Sequence, residues 1–483
     1  MSATVLLNVD AADAHEDVRA WRDALLERLS AGHRLVTLYG APHPEGVRVT
    51  AVVQDDAGEL RASRAVVSAA TGFHTLSHDI PGAHVFEREL HEQHAVRIAD
   101  HPWLKPVRFE RGGGVSVDEY PFYAMRGKET HEVQVGPIHA GVIEPGAFRF
   151  LCHGELVHHL EIHLGYQHRG VERLLLQRDP RALAPLVEQI AGDSSVAHTW
   201  AYAAALEALT AHDASEHDLT RAVMLELERV AMHLAGLGGL ATDVGFTQAA
   251  STYARLRTAA INGSMALCGS RFGRTAVQPG GSGVALDGAT AAELLLRFEA
   301  LDRDAREIDA LFLGARSVRH RLCDTGRVDR YTAAELGLVG MAARASGVAL
   351  DQRVYCEPWR GQVIATASTG DCMARAELRV RELHSSLDLV RRWLAPAPEW
   401  RRSRPQLGAL APSRLVIAVV EGWRGEVVHA LETDAAGALT HYKVQDPSLR
   451  NWMGLAQAVR NNEISDFPIC NKSFDLSYCG NDL

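Results

Sequence analysis

The chain has 483 residues, 47% of them hydrophobic and 23% charged, with a formal net charge of −10. That length can bury a large core and predicts two or three domains of ordinary globular composition. The acidic balance excludes a nucleic-acid partner, which would need a basic face, and no apolar run reaches the roughly 18–20 residues that span a bilayer.

The N-terminus, Met1 to Val5, lacks a basic region and meets Asp10 early, so no signal peptide is expected and the chain reads as cytoplasmic. Glu16 to Leu29 has helical spacing, with Val18, Trp21, Leu25 and Leu29 on one side. Strand-like segments follow at Arg34–Tyr39, Val47–Val53 and Glu59–Val67, the last two joined by a hairpin at Asp55-Asp56-Ala57-Gly58. A short helix over Phe86–Glu92 precedes the turn His101-Pro102-Trp103-Leu104-Lys105-Pro106. Residues 1–110 therefore read as a small α/β domain, and Gly112-Gly113-Gly114 opens a linker over 111–130.

In the second domain, 131–483, Val133 to Gly165 alternates apolar and polar residues and reads as strands. From Val171 to about Trp393 the pattern is mainly helical. Ser215 is placed to cap a helix over Asp218–Gly236, whose stripe is Leu219, Val223, Leu227, Val230 and Leu234. Further helices are predicted over Ala291–Leu311 and Arg375–Trp393, before the breaker Pro396-Ala397-Pro398. Leu415 to Leu483 holds strands and a helix. The fold class is α+β.

The seven cysteines include no Cys-x-x-Cys pair and read as free, mostly buried thiols. His159 and His163 have a zinc-like spacing, but strand alternation sends His158 and His159 to opposite faces. Gly236-Leu237-Gly238-Gly239 lies at a helix end rather than after a strand, which argues against a dinucleotide site.

Two segments carry the main signal. One is Glu188-Gln189-Ile190-Ala191-Gly192-Asp193-Ser194-Ser195-Val196-Ala197-His198, and the other is Ser473-Phe474-Asp475-Leu476-Ser477-Tyr478-Cys479-Gly480-Asn481-Asp482-Leu483. With Val135-Gly136-Pro137-Ile138-His139, Ile143-Glu144-Pro145-Gly146 and Gly165 to Arg173, they resemble the large subunits of nickel–iron hydrogenases and the 49-kDa-type (D-type) subunit of respiratory complex I. The motifs fall in the family's order. They point to the hydrogenase-4 or formate hydrogenlyase-type, energy-converting hydrogenase-related branch. The turn before Lys105 resembles the 30-kDa-type (C-type) subunit, so the resemblance implies a C-type domain fused before a hydrogenase large-subunit-like domain. In that family the two main segments each carry a thiolate pair. Here Ala191, Ser194, Ser477 and Gly480 stand at those positions, a set that cannot hold a soft thiolate-bound nickel–iron centre.

By resemblance, Glu144 matches the glutamate that shuttles protons at the metal, Asp243 an aspartate that supports the quinone-binding histidine of complex I, and Asp475 the aspartate of the C-terminal motif. Asp193 lies between the two missing cysteines. Glu144, Asp193, Asp243 and Asp475 are expected to converge, and carboxylates sharing a low-dielectric space cannot all ionise. His139 matches the first of two complex I histidines, while the second is absent and Gly192 stands near the quinone-binding tyrosine. Arg271 and Arg424 match family arginines, suited to a carboxylate or cluster partner.

The resemblance implies no cofactor or metal bound by this chain, a four-iron cluster in a partner, and quinone as a candidate ligand. Expected partners are an iron–sulfur small subunit of the complex I B type, a ferredoxin-like iron–sulfur subunit and antiporter-like membrane-arm subunits. Membrane contact would come only through partners, on the cytoplasmic face. Three functions remain open: a redox-complex component doing quinone or proton chemistry, a non-catalytic scaffold, and a hydrogenase using displaced thiols such as Cys470 and Cys479.

Overall fold

A computed structural model describes residues 5–9, 13–110, 115–141 and 143–483. The glycine run Gly112-Gly113-Gly114 lies outside them. The fold is mixed, 45% helix and 19% strand. No helix among the described residues is long and apolar enough to cross a membrane.

Near the N-terminus, Asp17 accepts from the Arg19 N–H and starts a helix over Val18–Ser30, which buries Trp21, Leu25 and Leu29. A four-stranded sheet follows in the order Asp13–His15, Leu60–Val67, Gly46–Gln54, Arg34–His43. The hairpin forms where expected, with Asp55 accepting from the N–H groups of Ala57 and Glu59. The strands are apolar on both faces because both faces are covered. Leu38, Val49 and Val53 pack on the local helices, whereas Val36, Tyr39 and Val52 join the core of the rest of the molecule.

The expected helix after these strands spans His84–His94 and buries three carboxylates, Glu87, Glu89 and Glu92. Each has partners that offset desolvation. Glu87 accepts from the Leu76 N–H, and Glu92 from the Val107 N–H, both at 2.7 Å. Glu89 meets Arg108 and, at 2.8 Å, Lys443. Burial alone would raise the Glu89 pKa, but Lys443 and Arg108 hold it at about 2. Glu426 joins Arg34 and Arg450 at 2.6 and 3.0 Å, and Glu432 meets Arg48 and Arg64. Buried ion pairs thus weld residues 13–110 to the C-terminal sheet.

That sheet comprises Leu415–Glu421, Glu426–Thr433 and Leu439–Gln445, and its fourth strand is Val5–Val9. Val5 pairs with Val419 and Val9 with Leu415. The 1–110 segment, read from sequence as one unit, therefore places its first strand in the far sheet.

A third, three-stranded sheet orders Leu156–His163, Ala147–His153 and Thr130–Val135. The helical centre is Asp218–Asp243, flanked by Thr247–Cys268 and Cys372–Leu394. The central helix runs past its expected end at Gly236. Its glycines are close-approach points: a Cβ on Gly236 would meet Arg379 and Asp475 at 3.0 Å, and one on Gly239 would meet Lys472 at 2.7 Å. Ser215 does not cap this helix; it lies in the short turn Ser215–His217.

Candidate functional site

The two motif segments meet. Behind the first, the helix Ser195–Thr210 starts at the cradle, and Glu228 receives its free N–H groups, from Val196 at 2.7 Å and Ala197 at 3.4 Å. In the second, the helix Phe467–Phe474 ends at Asp475 in a left-handed conformation, φ 55°. Ser477 then caps the last turn, its hydroxyl accepting from the Gly480 N–H at 2.9 Å. Arg169 ties the walls together, donating to the carbonyls of Gln189 and Ile190 on one side and Cys479 on the other. Asp482 accepts from the N–H groups of Gly165 and Gln167.

The four positions that carry thiolates in the resembled family do not fit a nickel–iron centre here. Ala191 offers no donor atom, and the Ser477 hydroxyl is committed to its own helix cap. Gly480 is filled from behind: a Cβ there would lie 2.5 Å from Asp446 Cγ. The displaced thiols have different neighbours. Cys470 packs beside Gly326, close to Cys372, whereas Cys479 lies on Ser477 at 3.4 Å.

Between the walls lies an ion pair. Arg424 donates to both Asp193 oxygens at 2.7 and 2.6 Å and to the Asp475 carbonyl. Its guanidinium sits 3.9 Å from the Trp423 ring centre, and Trp423 Nε1 donates to the Asp193 carbonyl at 2.8 Å. Burial opposes the Arg424 charge, but Asp193 raises its pKa above the ordinary value.

Glu144 is half-buried and accepts from Gln167 Nε2 at 2.9 Å. Arg169 is bonded to backbone carbonyls rather than to this carboxylate. Burial, with Glu144 and Asp193 adding, pushes the Cys479 thiol up to about 12. Burial, with Glu144 and Asp475 adding, does the same for Tyr478. Glu144, Asp193 and Asp475 therefore lie within electrostatic reach of the Tyr478-Cys479 turn. Asp243 does not join them. It is exposed at the end of the central helix, where its charged neighbour is Lys472. The expected four-carboxylate cluster is thus reduced to three, and Asp193 is paired with the Arg424 guanidinium.

His139 donates from Nε2 to the Gly146 carbonyl oxygen within its own loop, at 2.8 Å. Gly192 is half-buried, with only the Arg274 guanidinium near the place of a Cβ, at 4.0 Å. Arg271 is exposed, lies 5.6 Å from the Phe272 ring and lines a narrow cleft with Asp193 and Glu228.

Two features escaped sequence reasoning. Burial, with Asp193 adding, raises the Glu228 pKa to about 8. The second is a buried chain behind the cradle: Asp446 to His198 Nε2 at 3.1 Å, His198 Nδ1 to His429 at 3.1 Å, and His429 to the Tyr442 hydroxyl at 2.7 Å. The available signal was Glu226-Leu227-Glu228-Arg229, a charged run inside an otherwise apolar helical stripe.

Residues 243–407 match the family described as "Respiratory-chain NADH dehydrogenase, 49 Kd subunit". The chain is 28% identical to the alpha subunit of the membrane-bound hydrogenase of Pyrococcus furiosus, over 71% of this chain and 85% of that one. It is 28% identical to the D-type subunit of the NADH-quinone oxidoreductase of Dehalococcoides mccartyi, over 72% and 97%. Against formate hydrogenlyase subunit 5 of Escherichia coli it is 26% identical, over 73% of this chain but 63% of that protein. A chain of the membrane-bound sulfane sulfur reductase, an archaeal respiratory membrane complex, shares the fold with a TM-score of 0.68 at 23% identity, over 74% of this chain and 99% of that one.

Proposed function

We infer that this chain, which carries a complex I 49-kDa family domain and has hydrogenase large subunits and D-type subunits as homologues, is a subunit of a membrane-bound oxidoreductase complex. It has lost the metal of its hydrogenase relatives and keeps the cradle for proton handling coupled to electron transfer. The supporting observation is the refilled cradle: an Arg424–Asp193 pair bridges its walls and Asp446 closes the Gly480 position. Glu144 at the mouth and Glu228 behind Asp193 are the groups we assign to protons. The raised pKa of the Glu228 carboxyl suits exchange near neutral pH. Residues up to 110 would act as the C-type domain, docking an iron–sulfur partner whose four-iron cluster delivers electrons. A quinone would be the acceptor, held without the complex I histidine and tyrosine. The chain itself would sit on the cytoplasmic face through its partners.

The test uses the purified complex. Elemental analysis should find no stoichiometric nickel. Glu144→Gln should assemble yet slow turnover roughly 10²–10⁴-fold, the usual scale of acid–base catalysis. Stoichiometric nickel would overturn the metal-free reading. Wild-type turnover by an assembled E144Q complex would remove the proton role and leave a scaffold.

A further inference from the structure

Away from the cradle, a half-open cavity of about 510 Å³ lies between the His84–His94 helix, the turn at Trp103, the strand Leu156–His163 and the helix Pro447–Ala458. Its size falls in the range of small-molecule sites. Its body is apolar and aromatic: Trp103, Trp452, Met125, Met453, Leu160 and Leu449.

Two guanidiniums face this apolar space, and among the described residues neither has a carboxylate within ion-pair distance. Arg88 is buried, lies 4.3 Å from the Trp103 ring centre, and donates to the carbonyls of Lys105 and Pro106. Arg460 donates to His159 Nδ1 at 3.1 Å, and its buried Nε has no hydrogen-bond partner. Among the described lining residues the one carboxylate is Glu161, which faces Lys105 Nζ at 3.6 Å. Burial, with Arg88 adding, lowers the His84 pKa well below its usual value, so that ring adds no charge near neutral pH. The site therefore has two guanidiniums without a directly contacting carboxylate beside a flat apolar wall. Buried charges are normally paired, and an isolated one is costly.

We propose that this cavity binds an amphiphilic organic anion, with a carboxylate or phosphate head on Arg460 and Arg88 and a flat apolar body against Trp103 and Trp452. Guanidinium suits both heads, because its fork matches two oxygens at once. The cavity touches the tail only at Asn481 and shares no residue with the Arg424–Asp193 pair.

Isothermal titration of the full-length chain with 1-naphthoate, its neutral amide and acetate tests this. Naphthoate should bind saturably at one site, with the amide and acetate each at least tenfold weaker. Arg460→Gln should remove the preference for naphthoate over the amide. Met453→Trp, which fills the cavity and leaves both guanidiniums, should abolish binding of either aromatic probe. Equal affinity for naphthoate and its amide, an unchanged preference in R460Q, unchanged binding in M453W, or no binding of naphthoate at millimolar concentration would each overturn the proposal.

Discussion

Gly480 stands where the resembled hydrogenase large subunits carry a cysteine, and the structure predicts that a side chain cannot be placed there cheaply. Any Cβ at residue 480 would meet Asp446 Cγ at 2.5 Å and Oδ2 at 2.6 Å. Asp446 cannot retreat freely. It is buried, bonds His198 at 3.1 Å, and caps the Pro447–Ala458 helix through the Ser448 N–H at 2.8 Å. Overpacking a core typically costs about 1–3 kcal/mol, and a buried hydrogen-bonding group left unmade adds about 1–3 kcal/mol. Gly480→Ala and Gly480→Cys should therefore each lose about 2–6 kcal/mol, read from the shift in urea midpoint at constant slope. The clash has one named partner, so it should couple to that partner. In a Gly480→Ala/Asp446→Ala cycle, the double mutant should be more stable than the sum of the single losses predicts, by about 1–3 kcal/mol. Strict additivity, or a G480C protein as stable as wild type, would refute the reasoning.

Glu228 has a folded pKa of about 8, above its unfolded value, so the folded state binds the extra proton and stability falls as pH rises from about 4.5 to 8. Glu228→Gln should flatten that decline, which amounts to a few kcal/mol in order of magnitude; unfolding midpoints at pH 5 and pH 8 would check it. Glu89 has the opposite sign. Held at about 2, it adds stability above its unfolded pKa that is lost as pH falls from about 4.5 toward 2. Glu89→Gln leaves Arg108 and Lys443 short of a buried partner and should cost about 3–5 kcal/mol at pH 7, by equilibrium unfolding. His384 bonds Asp302 at 2.6 Å and Asp309 at 2.7 Å, and although burial works against its charge, these carboxylates raise its pKa. Its contribution should be full below pH 6.5 and disappear as pH rises through the folded value, so the stability gap between wild type and His384→Asn should narrow from pH 6 to pH 9.

Local pattern made the elements legible. Trp21, Leu25 and Leu29 marked a helix because one face of it is buried, and Asp55 to Gly58 marked a turn through its own side-chain bonds. The cradle was legible too, since Ala191, Ser194, Ser477 and Gly480 stand in recognisable settings. What filled it was not. Arg424 lies 231 positions from Asp193 in sequence, and nothing local to either announces a bidentate pair. Asp446 reads as an ordinary helix cap until the fold brings Gly480 onto it. The central helix outran its expected end because tertiary packing against Arg379 and Lys472 uses Gly236 and Gly239, against their helix propensity. Asp243 was misplaced for the same reason: the extra turns carry it out to the surface.

The edge strand Val5–Val9 has a consequence for how the molecule is made. Its partner, Leu415–Glu421, lies roughly 400 residues later, so at about 5–20 residues per second the ribosome needs roughly 20–80 s to deliver it. Throughout that interval the nascent chain holds a strand whose hydrogen-bonding edge has nothing to pair with, the kind of edge that invites association between chains. That pairing is a long-range closure, slow by its loop entropy. Any handle fused ahead of Val5 travels with a strand that must dock on a sheet formed at the other end of synthesis, whereas a handle anchored elsewhere leaves that closure alone.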